Sequence, residues 1–131
     1  MRFVDTSYWV ALSVSRDRNH AAARAIWAGE RGSLLTTNHV LGETWTFLRR
    51  RVGHGGALRM ADAALASRAL TVEHVDKGTE HQAWQWLRRH DEREYSFVDA
   101  TSFAMMRRLR IREALAFDGD FAAAGFVEVR P

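Results

Sequence analysis

The chain opens with residues 1–12, MRFVDTSYWVAL. Phe3 and Val4 predict a short buried strand, Asp5 places one carboxylate directly after it, and a helical pattern starts at Thr6. In an open parallel sheet, ligand sites lie outside the carboxyl ends of the strands. Asp5 is therefore a candidate site residue. The alternative is a helix N-cap, in which Asp5 accepts a backbone N–H and stabilises the helix by about 1 kcal/mol.

The length of 131 residues suits one domain, and we expect a single domain over residues 1–131. The chain has no cysteine, which excludes a disulfide framework and a thiolate metal site. Asp5 interrupts the first apolar run, so the start does not match a signal peptide, and no segment has the length of a membrane span. We expect a cytoplasmic protein.

Strand-like and helical segments alternate along the chain. The apolar patterns predict strands at 3–4, 33–37, 70–75, 114–117 and 126–129, and helices from residue 6, over 20–29, around 40–48, and over 57–70, 78–90 and 96–109. The run Gly53-His54-Gly55-Gly56 is expected to break the third helix. This alternation predicts an α/β fold with a mainly parallel sheet sandwiched between helices.

Glu43 lies three residues after Val40 and four before Phe47, on or beside the apolar stripe of its helix. A carboxylate that leans toward a core needs a partner or a metal. The alternative is an ion pair with Arg49 or Arg50.

Asp99 follows Ser96 at the spacing of a capping box. It also shares a helix face with Phe103 and Met106, so it is expected to point inward. The two roles are compatible because a carboxylate has two oxygens.

Asp118 follows the predicted strand at 114–117, in the order Asp118-Gly119-Asp120. Turn chemistry explains at least one of these two acids. If the first strand and this strand are parallel, however, Asp5 and Asp118 emerge at the same edge of the sheet. Glu43 and Asp99, near the starts of their helices, are expected to converge there.

Four carboxylates in one cleft repel each other unless a cation neutralises them. Oxygen-only clusters suit Mg²⁺ or Mn²⁺, and such sites activate water for attack on phosphate. The net charge of +3 is only a weak sign of a nucleic-acid partner. The candidate contacts to an RNA backbone are arginines from the basic runs, whose alternative is a solvated helix face: Arg49, Arg50, Arg107 and Arg108.

These motifs together resemble a known family. The order Phe-Val-Asp-Thr-Ser at 3–7, Gly-Glu-Thr at 42–44, Ser-Phe-Val-Asp-Ala at 96–100 and Ala-Phe-Asp-Gly-Asp-Phe at 116–121 is similar to that of PIN-domain ribonucleases, and more narrowly to VapC-type toxins of bacterial toxin–antitoxin systems. The resemblance implies a Rossmann-like α/β/α sandwich and a Mg²⁺- or Mn²⁺-dependent endoribonuclease acting on structured RNA, such as transfer or ribosomal RNA. It also implies a homodimer and a VapB-type antitoxin partner.

The resemblance also assigns the site. It implies that the catalytic and metal-binding acids are Asp5, Glu43, Asp99 and Asp118, with Asp120 as the alternative fourth acid and Thr6 or Ser7 as polar support. One position departs from the family pattern, because Ala116 stands where the family often has threonine.

Two other classes compete with this hypothesis. A phosphatase or phospho-acceptor domain would use Asp5 as nucleophile. The dehalogenase-type pattern, however, expects a second aspartate two residues later, where this chain has Ser7. Both types also expect a lysine late in the domain, and Lys77 is the only lysine of the chain. A non-catalytic RNA- or protein-binding domain would use the acids as caps and salt bridges.

Two further features are weaker. His39 and Glu43 have a spacing that can share a metal, although oxygen ligands fit the other acids better. The tryptophans on helical stripes, Trp9, Trp27 and Trp45, favour a core or a dimer interface over base stacking.

Overall fold

The computed structural model describes all residues, 1–131, and alternates five strands with seven helices. The strands are β1 (Arg2–Val4), β2 (Leu34–Thr37), β3 (Leu70–Glu73), β4 (Glu113–Leu115) and β5 (Val127–Glu128). The helices are α1 (Thr6–Ser13), α2 (His20–Gly29), α3 (Asn38–Arg51), α4 (Gly53–Ala66), α5 (Lys77–Arg89), α6 (Phe97–Leu109) and α7 (Asp120–Ala123).

The strands form one parallel sheet in the order β3-β2-β1-β4-β5. The chain winds from β1 outward to β3, then crosses over to β4 and β5. Since parallel crossovers are right-handed, the two directions of winding place their helices on opposite faces of the sheet. Accordingly, α1 packs on α2, α3 and α4, whereas α5 packs on α6. The predicted Rossmann-like α/β class is confirmed.

The topology leaves a crevice between β1 and β4. These strands are neighbours in register, with Phe3 beside Ala114 and Val4 beside Leu115, but the chain leaves them toward opposite sides of the sheet. Such a switch point, at the carboxyl ends of the strands, is where ligands bind in doubly wound sheets. Asp5 follows β1 directly, and Asp118 follows shortly after the end of β4.

Aromatic side chains pack in the core next to this edge of the sheet. Tyr8 of α1 is fully buried, stacks on Phe117 with 5.9 Å between ring centroids, and donates its hydroxyl to the carbonyl of Ala23. Phe103 of α6 packs edge-on against Phe121 of α7 at 4.9 Å. The segments that carry the acids are therefore anchored in the core.

Three details of the predicted elements differ from the structure. The third helix does end before the glycine run at 53–56, with the break at Val52 and a φ of 88° at Gly53, but the run itself forms the first turn of α4. The strands β2, β3 and β5 are shorter than predicted, whereas β1 begins one residue earlier, at Arg2, and β4 is shifted to Glu113–Leu115. The short helix α7 after Asp118-Gly119 was not predicted, since four residues carry too little periodicity. No helix has the length and apolar character needed to cross a membrane.

Candidate active site

A cavity of about 490 Å³ lies at the carboxyl ends of β1 and β4. We call it the acid cleft, because five carboxylates predicted from the sequence line it: Asp5, Glu43, Asp99, Asp118 and Asp120. The structure thus brings to one place side chains that come from four separate segments of the chain.

Asp5 is the most deeply buried of these acids, with 2% of its surface exposed. It caps α1, since its Oδ2 accepts hydrogen bonds from the Ser7 amide at 3.0 Å and the Ser7 hydroxyl at 2.7 Å. Burial raises its pKa to about 8, and the nearby charge of Asp118 adds to this increase against the Ser7 hydrogen bonds. The capping role is real but leaves this buried acid without a cationic partner.

Ser7 and Thr6 support the cleft from α1. The Ser7 hydroxyl donates to Asp5 and accepts the amide N–H of Phe117 at 3.0 Å, so one side chain links the ends of β1 and β4. The Thr6 hydroxyl lies 3.3 Å from that of Thr44, which donates to it from α3. Ser7 has the more direct contact with the buried acid.

Asp99 occupies the first turn of α6 and is 8% exposed. The capping box is present: the Ser96 amide donates to Asp99 Oδ2 at 3.0 Å, and the Asp99 amide donates to the Ser96 hydroxyl at 2.9 Å. Burial raises the pKa of Asp99 to about 6, with Asp118 and Asp120 adding to the increase. Capping and clustering therefore coexist at this residue.

Asp118 and Asp120 flank Gly119, whose φ of 82° suits glycine and turns the chain after β4. Carboxylate oxygens of Asp99, Asp118 and Asp120 all lie within 4.8 Å of one another. Desolvation raises the pKa of Asp118. Asp120 differs because its Oδ1 accepts a hydrogen bond from Arg93 Nε at 2.8 Å, which compensates its charge.

Glu43 lines the acid cleft, but the expectation that it leans into the core was wrong. The buried stripe of α3 consists of Val40, Thr44 and Leu48, and Phe47 is 43% exposed. Glu43 lies one step around the helix from this stripe, at the rim of the cleft. It forms no ion pair, with Arg49, Arg50 or any other residue.

The predicted arginines lie outside the acid cleft. Arg49 and Arg50 are exposed near the end of α3, and Arg50 lines a neighbouring cavity with Glu43. Arg107 lies over the rings of Trp86 and Phe126, at 5.5 and 5.6 Å, and burial lowers its pKa. Arg108 pairs with Asp76.

Sequence reasoning missed several residues of the cleft. Glu94 lines the cleft, and the neighbouring Arg93 reaches it only through Asp120; both come from a charged loop whose composition resembles any solvated segment. The loop after α1 contributes Asp17, Arg18 and Asn19. Only the tertiary packing of these loops against β1 and β4 brings them to the site. No motif or spacing marks them.

The donors suit a hard divalent cation. Asp5, Asp99 and Asp118 are oxygen ligands that form no ion pair, and burial, with repulsion between neighbouring carboxylates, raises the pKa of each. Lys77, the only lysine, does not line the cleft. A divalent ion would supply the missing charge.

A model of the PIN domain matches residues 2–127. The chain belongs to the PIN-domain family. Within this family it is a VapC-type ribonuclease, since it is 60% identical over 131 residues to the 23S rRNA-specific endonuclease VapC20 of Mycobacterium tuberculosis in two strains, covering 100% of this chain and 99% of the relative.

A solved structure agrees with this assignment. The crystal structure of Mycobacterium tuberculosis VapC20, described as a sarcin-ricin loop cleaving toxin, superimposes with a TM-score of 0.96 at 58% identity, with 100% of both chains covered. The family resemblance seen in the sequence is confirmed over the full chain.

The buried acids of this PIN domain predict an unusual pH dependence of stability. A carboxyl whose pKa is higher in the folded than in the unfolded state stabilises the fold at low pH, and this stability is lost as the pH rises through the folded pKa. The metal-free protein should therefore lose stability as the pH rises above the ordinary carboxyl pKa of 3.8, with the loss through Asp99 complete near pH 6 and the loss through Asp5 continuing to about pH 8. Each pH unit between the two pKa values of a group is worth about 1.4 kcal/mol.

Asp5→Asn should raise the free energy of unfolding at pH 8.5 by about 5 kcal/mol in EDTA, because it removes a buried charge while its amide oxygen still accepts from Ser7. Denaturant unfolding at pH 5.5 and 8.5 measures this, with the exposed Asp62→Asn as control. A destabilised Asp5→Asn at pH 8.5 would contradict this account, because it would show that the charge of Asp5 stabilises the fold.

Proposed function

We propose that the acid cleft hydrolyses a phosphodiester bond of RNA with the help of a divalent ion, Mg²⁺ or Mn²⁺. The observation that carries this proposal is a group of three carboxylates without cationic partners, two of them buried, at the switch point of the sheet. A divalent ion bound there lowers the pKa of water and withdraws charge from the phosphate.

Three carboxylates are proposed as the ligands: Asp5, Asp99 and Asp118. Asp5 and Asp99 are fixed by hydrogen bonds to Ser7 and Ser96, so their remaining oxygens have defined positions. Asp120 is the weaker candidate for the fourth acid because Arg93 already engages it. Its role is to hold Arg93 against the turn, where Arg93 also reaches the Asp118 carbonyl at 3.4 Å.

Glu43 is proposed as the general base. It is exposed at the rim and unpaired, so one of its oxygens can accept the proton of the attacking water. The water oxygen then bonds to phosphorus while the phosphorus–oxygen bond of the chain breaks, and the leaving ribose oxygen takes a proton from solvent. Ser7 holds the ends of β1 and β4 together during this step.

The proposed substrate is structured ribosomal RNA. The 60% identity to VapC20, a 23S rRNA-specific endonuclease, favours the same RNA class and its sarcin-ricin loop over transfer RNA. Such a substrate places the protein in the cytoplasm. The phospho-acceptor hypothesis loses support because the cleft contains no lysine.

Two protein partners are proposed. The family assignment supports a VapB-type antitoxin that neutralises the enzyme. A homodimer is supported by an aromatic patch, which we define as His39, Phe47, Trp84 and Phe97. Trp84 is 47% exposed and packs against Phe97 with 4.6 Å between centroids. The patch adjoins Glu43, so a second copy would bring two clefts close together.

The activity predicts metal- and acid-dependent cleavage. Purified protein should cut an RNA hairpin carrying the sarcin-ricin loop at one position with Mg²⁺ or Mn²⁺, and EDTA should abolish this. Asp5→Asn, Asp99→Asn and Asp118→Asn should each lower kcat by about 10³-fold or more, whereas Asp120→Asn should cost about tenfold. Labelled RNA resolved on a gel measures the rates, with Asp62→Asn as control.

The result that would contradict the ligand assignment is a fully active Asp118→Asn beside an inactive Asp120→Asn. Cleavage that persists in EDTA would contradict the divalent-ion proposal itself.

The aromatic patch predicts a dimer that one charge disrupts. Trp84→Glu should convert the protein to a monomer at micromolar concentration, because it places a charge within an apolar interface. Sedimentation velocity measures the mass. Leu65→Glu, on an exposed leucine of α4, is the matched control and should remain dimeric. A dimeric Trp84→Glu, or a monomeric parent chain, would refute the patch as the interface.

A further inference from the structure

A second polar cavity, of about 550 Å³, lies next to the acid cleft and shares with it the loop at residues 14–19. We call it the arginine pocket, because Arg16, Arg51 and Arg59 line it together with the hydroxyls of Ser13 and Ser15. None of these three arginines has a carboxylate within 4.0 Å or a hydrogen bond from its side chain to another protein group. The pocket therefore concentrates positive charge that the protein itself does not neutralise.

Three separate segments build the arginine pocket. Arg51 is the last residue of α3 and Arg59 lies in the second turn of α4. The chain reverses between them at Val52 and Gly53, where the positive φ of Gly53 permits a sharp turn. Arg16 comes from the loop after α1. Like charges repel, so their convergence is unfavourable without an anion.

The loop at residues 14–19 is shared by both cavities. Ser15 and Arg16 line the arginine pocket, whereas Asp17, Arg18 and Asn19 line the acid cleft. The loop is held in place because the Asp17 amide donates to the Val14 carbonyl at 3.0 Å and the Asn19 amide donates to Asp17 Oδ1 at 2.8 Å. A polymer lying in the cleft thus reaches the pocket by crossing one ordered loop.

Charge balance explains why a second surface is needed. The acid cleft is lined by seven carboxylates and one arginine, Arg18, so one divalent ion together with Arg18 and Arg93 does not reverse its sign. Binding of a polyanion must therefore draw its affinity from cationic groups outside the cleft, since phosphate contacts dominate affinity for nucleic acids. Guanidinium groups bind phosphate in bidentate geometry, and serine hydroxyls add donors.

We propose that the arginine pocket binds backbone phosphates of the RNA whose cleaved bond lies in the acid cleft. This inference deepens the proposed function and rests on it. Arg107 and Arg108 are less suited to the role because the guanidinium of the first lies over two aromatic rings and the second is paired with Asp76. An acidic protein segment is the competing occupant.

The test compares two triple variants that remove the same charge. The pocket variant carries Arg16→Gln, Arg51→Gln and Arg59→Gln. The control variant carries Arg24→Gln, Arg68→Gln and Arg112→Gln. These three arginines are exposed and line neither cavity. Arg68 and Arg112 lie just before β3 and β4, at the amino ends of the strands and so away from the acid cleft. The probe is a labelled RNA hairpin with the sarcin-ricin loop sequence. Binding is measured in EDTA over a series of salt concentrations, and cleavage with Mn²⁺.

We expect the pocket variant to bind the hairpin at least about tenfold more weakly than the control variant. The slope of log affinity against log salt concentration should be smaller in magnitude by about one for each phosphate that the substituted pocket no longer binds. In cleavage, KM should rise by a similar factor while kcat stays within about twofold, because the acids are untouched. Circular dichroism confirms folding, and the single Arg59→Gln variant gives a smaller effect in the same direction if the triple variant is unstable.

Equal affinity and equal salt dependence in the two triple variants would overturn the inference, even if the parent chain cleaves the hairpin. Unchanged RNA binding with weaker affinity for the antitoxin would overturn it in favour of an acidic protein segment. A parent chain that binds through the pocket but never cleaves would sink the proposed activity and leave the binding surface standing.

Discussion

The site is organised around an accumulation of negative charge where β1 and β4 end side by side. Asp5 is buried there with only Ser7 as a hydrogen-bond donor, and Asp99 and Asp118 lie close enough to raise its pKa further. A fold gains nothing from such repulsion, since hydrophobic residues of similar size would pack there at lower cost. The clustered charge is explained if this edge of the sheet binds a cation and the bound cation in turn binds a phosphate.

Several contacts serve both the fold and this edge. Asp5 caps α1 and Asp99 completes the capping box of α6, so the same carboxylates that end in the cleft also begin two helices. Ser7 joins the ends of β1 and β4 through one hydroxyl. The choice between a cap and a site residue is therefore not exclusive, and substitution of these acids must separate a change in stability from a change in activity.

The sequence predicted the α/β class and the meeting of the acids at one edge, because both follow from strands that end on carboxylates and from the parallel crossover rule. It mispredicted Glu43, since the spacing to Val40 and Phe47 did not show that Phe47 itself is exposed. It also missed Arg93 and the arginine pocket. Arg16, Arg51 and Arg59 are distant in sequence or separated by a turn, so no local pattern reveals that they converge. Loop packing determines such contacts, and periodicity carries no information on it.

The most direct test of the account is a calorimetric titration of the metal-free protein with Mn²⁺ at pH 7 in buffers of different ionisation enthalpy. We expect saturable binding accompanied by proton release, since the raised pKa of Asp5 keeps it largely protonated until a cation binds. Asp5→Asn should abolish the proton release. Absence of binding, or binding without release of protons, would contradict the claim that this edge is built around a cation.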